Sequence, residues 1–75
     1  MTMQDKKFVV CIGNTDYPAA LELRKIYECL PDESAEKYSQ LRVIDESGED
    51  YLFPSKLFVP IELDESIQNA IIQAA

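Results

Sequence analysis

The stretch Leu41–Leu63, LRVIDESGEDYLFPSKLFVPIEL, decides how this chain folds. Leu41 to Asp45 alternates, with Leu41, Val43 and Asp45 on one side and Arg42 and Ile44 on the other. That is the period-two signature of a half-buried strand. Glu46-Ser47-Gly48-Glu49 follows as a hairpin turn, with Gly48 the residue suited to positive φ. Tyr51 to Phe53 returns as a strand. Pro54-Ser55-Lys56-Leu57 breaks the ladder and predicts a single 3₁₀ turn. Phe58 to Leu63 then reads as a closing strand, which Pro60 confines to a sheet edge or a bulge. This order is the closing half of a small antiparallel barrel.

Working outward, Lys7 to Ile12 is rich in Val, Ile and Phe and ends at Gly13-Asn14, so it reads as a first strand. Gly13 to Pro18 concentrates turn chemistry. Ala19 to Leu23 is expected to extend as a short strand arm with Leu21 and Leu23 on one face. Ile26 to Leu30 is the second strand, stopped by Pro31. Asp32 to Tyr38 favours one or two helical turns with Asp32 as the cap. Beyond Leu63, Asp64-Glu65-Ser66 sets carboxylates at a helix start, where the macrodipole favours them. Ile67, Ala70, Ile71 and Ala74 follow at i, i+3, i+4 and i+7. A helix over 64–75 is marginal alone, so it docks on its own barrel, pairs with another subunit or frays. Phe8, Phe53 and Phe58 are expected in the core, and Tyr27 and Tyr51 are expected to be half-buried with wet hydroxyls.

The 75 residues form one domain, with the barrel over about 7–63 and the helix after it. A chain this short buries only about 60% of its unfolded surface, so each large apolar side chain counts. It holds two cysteines and no histidine. Two thiolates cannot complete a four-ligand zinc shell, so no structural metal is expected. Cys11 and Cys29 lie in apolar strand contexts and read as reduced, buried thiols, with a disulfide between neighbouring strands as the alternative. The polar N-terminus MTMQDKK carries no secretory pattern, and no segment has the length of a membrane span. A cytoplasmic protein is the expectation.

The net charge is −7. That argues against nucleic acid, which calls for a positive stripe. The acids gather in two groups, Glu28, Asp32, Glu33 and Glu36, and Asp45, Glu46, Glu49 and Asp50. They serve either as a solubilising surface or as a contact face for a basic partner. A calcium loop starting at Asp45 would want a bidentate Glu at its twelfth position, where Lys56 stands. Ser47, Ser55 and Ser66 lack a histidine to activate them, and two glycines make no phosphate loop. Neither catalysis nor a cofactor is expected.

In its order of parts the chain resembles a Src-homology-3-type barrel. The loop from Asn14 to Leu21 would be that fold's long first loop, Asp32 onward its second, and Glu46 to Glu49 its distal hairpin. Pro54 to Leu57 resembles the 3₁₀ turn before its last strand. The segments VVCIGN, KIYECL and RVIDESGEDYLFPSKLF also resemble small, functionally uncharacterised bacterial and phage proteins, over residues 7–61. Arg24 replaces a glycine expected before Lys25. The polyproline groove that the barrel resemblance implies needs a tyrosine pair, a tryptophan and a turn tyrosine. This chain has Tyr17 alone, no tryptophan, and Leu57 at the turn.

The expectation is therefore a five-stranded barrel acting as a non-catalytic protein-interaction module. Its contact residues would be Asp16, Tyr17 and Pro18 in the first loop, with Asp45, Glu46, Glu49 and Asp50 in the acidic turn. Alternatives are self-association to a homodimer through Ile67, Ile71 and Ile72, or an acidic decoy of phage or mobile-element type.

Overall fold

The computed structural model describes residues 7–74. The polar stretch before Lys7, and Ala75 at the end of the expected helix, lie outside the described residues. Five strands form one antiparallel sheet in the order β4-β3-β2-β1-β5. They are β1 (Lys7–Cys11), β2 (Ile26–Leu30), β3 (Gln40–Ile44), β4 (Asp50–Pro54) and β5 (Phe58–Ile61). A helical turn α1 (Glu33–Lys37) joins β2 to β3, a 3₁₀ turn (Ser55–Leu57) joins β4 to β5, and α2 (Glu65–Ala74) ends the fold. β4 and β5 share no ladder, so the sheet is open where a closed barrel would be sealed.

Alternation sorts the strand residues onto two faces. Val9, Cys11, Tyr27, Cys29, Val43, Phe53 and Phe58 point to one side and, with Leu21 from the first loop, make the core. The rings of Phe53 and Phe58, from the two edge strands, meet edge-to-face at 6.1 Å between centroids. The open sheet is therefore curled enough for both edges to serve one core. Both cysteines are buried free thiols. Lys7 of β1 faces Cys29 and Val10 faces Ile26, so the two cysteines are not cross-strand partners.

The other face carries Phe8, which is 1% exposed yet lies outside that core. Phe8 shares a groove with Ile26, Ile44, Ile71 and Ile72, so the end of α2 leans over this face of the sheet. No residue of α2 is buried. Phe8 is buried as expected, on the face beneath the helix.

Several local expectations hold. Asp32 caps α1 by accepting the Ala35 N–H at 2.9 Å. Gly48 has φ of 86°. Asp64 accepts the Ile67 N–H at 3.0 Å and starts α2. The strand arm over Ala19–Leu23 does not form. Leu21 is fully buried and Leu23 is 54% exposed, so they share no face. This loop is closed by turns, with the Leu21 N–H donating to the Tyr17 carbonyl at 3.0 Å. It is also sewn to β1, since the Arg24 N–H reaches the Cys11 carbonyl at 2.7 Å and the Cys11 N–H the Lys25 carbonyl at 2.9 Å.

Candidate functional site

The first loop and the acidic turn are far apart in sequence, and the fold brings them together. The Glu46 N–H donates to the Ala20 carbonyl at 3.0 Å. Beneath this contact, the Tyr27 hydroxyl donates to Glu46 Oε2 at 2.5 Å and accepts the Glu22 N–H at 2.7 Å. Lys25 Nζ lies 2.6 Å from the same Glu46 oxygen and 5.6 Å from the Tyr27 ring centroid. One phenol on β2 thus ties a loop backbone to a turn carboxylate.

The electrostatics follow from these contacts. Hydrogen bonds from Lys25 and Tyr27 hold the Glu46 carboxyl below its ordinary range. The same pairing raises Lys25. Burial, then the bond to Glu46, pushes the Tyr27 phenol well above its ordinary value. Tyr27 was expected to keep a wet hydroxyl; it is only 5% exposed, and protein groups satisfy it. Tyr51, expected to be half-buried, is 49% exposed, with its hydroxyl donating to Glu49 at 2.9 Å.

The other acids of the turn also have intramolecular tasks. Asp45 is buried, and its Oδ1 accepts both the Ser47 N–H at 2.8 Å and the Ser47 hydroxyl at 2.5 Å. Asp50 accepts from Arg42 Nη1 at 3.0 Å, while Arg42 Nε donates to Asp32 at 2.8 Å. The Ala35 N–H and then Arg42 lower the Asp32 carboxyl. Arg42 thereby links the helix cap of α1 to the start of β4.

In the first loop, Tyr17 is half-buried and sets its ring edge-on to Phe53, 5.1 Å between centroids. Asp16 and Pro18 on either side are exposed. Leu57 packs against the core. Asp16, Pro18 and Glu22 on the loop and Glu49 on the turn are exposed, and Tyr17 packs beneath the loop. Ile71 and Ile72 are half-buried over the chain's own sheet, whereas Ile67 is 45% exposed.

Two grooves open to solvent. The first, about 630 Å³, lies between α2 and the outer face and includes Phe8, Ile26, Ile44 and Ile71. The second, about 420 Å³, opens at the end of the sheet where β1 begins and β2 ends, with Val9, Cys29, Leu41 and Phe58 along it and Lys7 and Glu36 among its lining residues. Burial raises the Cys29 thiol in this groove, which disfavours the reactive thiolate. Among the described residues no group of three or more His, Cys, Asp or Glu is placed to hold a metal ion. No helix among them is long and apolar enough to cross a membrane.

Sequence reasoning singled out Glu46 but missed its partner Tyr27, nineteen positions away. The available signal was a tyrosine on a core-facing strand position, whose hydroxyl has to find an acceptor when buried. The chain matches no family model, no curated protein and no solved structure.

Proposed function

We propose that this chain is a non-catalytic protein-interaction module built on a partly open Src-homology-3-like barrel. The barrel reading is supported by the strand order, by the 3₁₀ turn between β4 and β5, and by the ring contact between the two edge strands. The contact surface is the joined first loop and acidic turn, and its partner is a protein with a basic face. The observation that carries this reading is the Tyr27–Glu46–Lys25 clamp. It holds two segments as one pre-organised acidic surface, which lowers the ordering cost of binding. Polyproline recognition is not part of the proposal, because Tyr17 is turned onto Phe53 and Leu57 is packed inward.

The test is affinity capture with the full chain and with a triple variant, Asp16→Ala, Pro18→Ala and Glu49→Ala. These side chains are exposed, so circular dichroism should be unchanged. A basic protein retained by the parent chain and lost from the variant supports the assignment. An identical set of captured proteins overturns it.

A further inference from the structure

The two edges of the sheet are not equally protected. On β5, the Ile12 N–H donates to the Leu57 carbonyl at 2.7 Å, which fixes the phase of the β1–β5 ladder. Hydrogen-bonded pairs alternate along an antiparallel ladder. Val9 and Pro60 therefore form a non-hydrogen-bonded pair, and the nitrogen of Pro60 faces outward. An incoming strand would find no donor there, a common device against edge pairing.

β4 carries such a block only at its last residue, Pro54. The β3–β4 ladder is bracketed by the Ser55 N–H to the Ser39 carbonyl at 2.8 Å and the Asp45 N–H to the Glu49 carbonyl at 3.0 Å. Both bonds set the same phase. Tyr51 and Phe53 bond inward to β3, while the N–H and C=O of Asp50 and Leu52, and the C=O of Pro54, point outward. No proline, lysine or bulge interrupts Asp50 to Phe53. Leu52 is 41% exposed and Tyr51 49%.

We infer that β4 pairs antiparallel with β4 of a second copy of this chain, about a two-fold axis at Leu52. The outward groups are self-complementary in that register. Leu52 exchanges two hydrogen bonds with its symmetry mate, and each Asp50 N–H meets the Pro54 carbonyl of the second copy. Pro54 lacks a donor, so the ladder stops there. Tyr51 falls opposite Phe53 of the second copy, an aromatic cross-strand pair. The charges also match: β4 begins at Asp50, just after Glu49, and is followed by Lys56. Antiparallel pairing sets Lys56 against the Gly48-Glu49 turn of the second copy, whereas parallel pairing would set like charges together. A short ladder of this kind makes a weak, concentration-dependent dimer.

Sedimentation velocity on the full chain over a range of concentrations tests the inference. The parent chain should show a monomer–dimer equilibrium. Leu52→Lys puts two cations side by side on the axis and should weaken the dimer by about tenfold or more. Lys56→Glu should weaken it as well, and adding Glu49→Lys should restore it. Ile67→Lys, on α2, should leave it unchanged. A parent chain that stays monomeric at its solubility limit overturns the inference and leaves the edge to a strand from another protein. A dimer untouched by Leu52→Lys overturns it too. If Leu52→Lys does not fold, the Lys56→Glu pair decides, and a dimer insensitive to both of its variants overturns the inference.

Discussion

One sheet carries two apolar faces, and the chain packs them to different standards. The core face buries side chains from every strand and from the first loop, locked at its rim by Tyr27 and Glu46. The outer face buries Phe8 beneath a helix that has no buried residue of its own. Curling the sheet lets its two edges supply rings to one cluster, so the core side needs no separate cover. The outer side depends on ten residues of helix, too few to persist alone. Stability therefore resides in the sheet, and α2 follows it.

The largest expected effect tests that division directly. Phe53→Ala removes the ring that contacts both Tyr17 and Phe58, at a cost of about 3–5 kcal/mol. A domain of this length has only about 4–11 kcal/mol in total, so urea titration should show most cooperative unfolding lost. Ile71→Ala on α2 should cost about 1 kcal/mol or less. In hydrogen exchange, α2 amides should exchange well before those of β1 and β2. Equal losses from Phe53→Ala and Ile71→Ala would break the comparison.

Tyr27→Phe should cost about 1–2 kcal/mol, since it leaves the Glu22 N–H and Glu46 short of a partner. Chemical denaturation measures the loss, and urea profiles of the first loop should show it opening with the core.

The pH dependence is subtler. Glu46 and Asp32 have lowered folded-state values. Their stabilisation is fully present above the ordinary carboxylate range and is lost as pH falls through the folded values. Lys25 and Tyr27 are raised. Theirs is present below the ordinary lysine and tyrosine values and is lost as pH rises through the folded ones. Stability should be flat around neutrality and fall at both extremes. Glu46→Gln should flatten the acid side in melts recorded across that range, and an unchanged acid slope would remove the clamp from the account.

The smallest effect is a gain. Arg24 is exposed with φ of 65°, the left-handed region that favours glycine. Arg24→Gly should stabilise by about 0.5–1 kcal/mol, less than the full left-handed cost because the unfolded chain also gains freedom. A lower melting temperature would show that Arg24 has a contact role.

Much of the architecture was legible in the order of strands and turns. Val43 and Asp45 face inward as alternation predicts, and Gly48 and the 3₁₀ turn stand where turn chemistry put them. Arg24 was legible as a departure from an expected glycine, and its positive φ explains that expectation. What escaped the sequence depends on the third dimension. Leu21 and Leu23 part company because the loop is fixed by bonds to β1, which no local pattern encodes. Phe8 resembles any core phenylalanine until the cover on its side is known. Whether a five-stranded sheet seals is decided by curl and edge spacing, and strand composition carries neither. For the candidate site, the exposed residues Asp16 and Pro18 were identifiable by loop chemistry. The clamp that ties their loop to the acidic turn was not.

The groove at the end of the sheet has a kinetic consequence. Cys29 lies along it, 4% exposed, and Cys11 is fully enclosed in the same core. A thiol reagent must wait for this groove to widen before it meets Cys29, and for a deeper opening before it meets Cys11. The two native cysteines thus form a pair of clocks at different depths. Their labelling rates separate breathing of the groove from global unfolding, with no probe added to the chain.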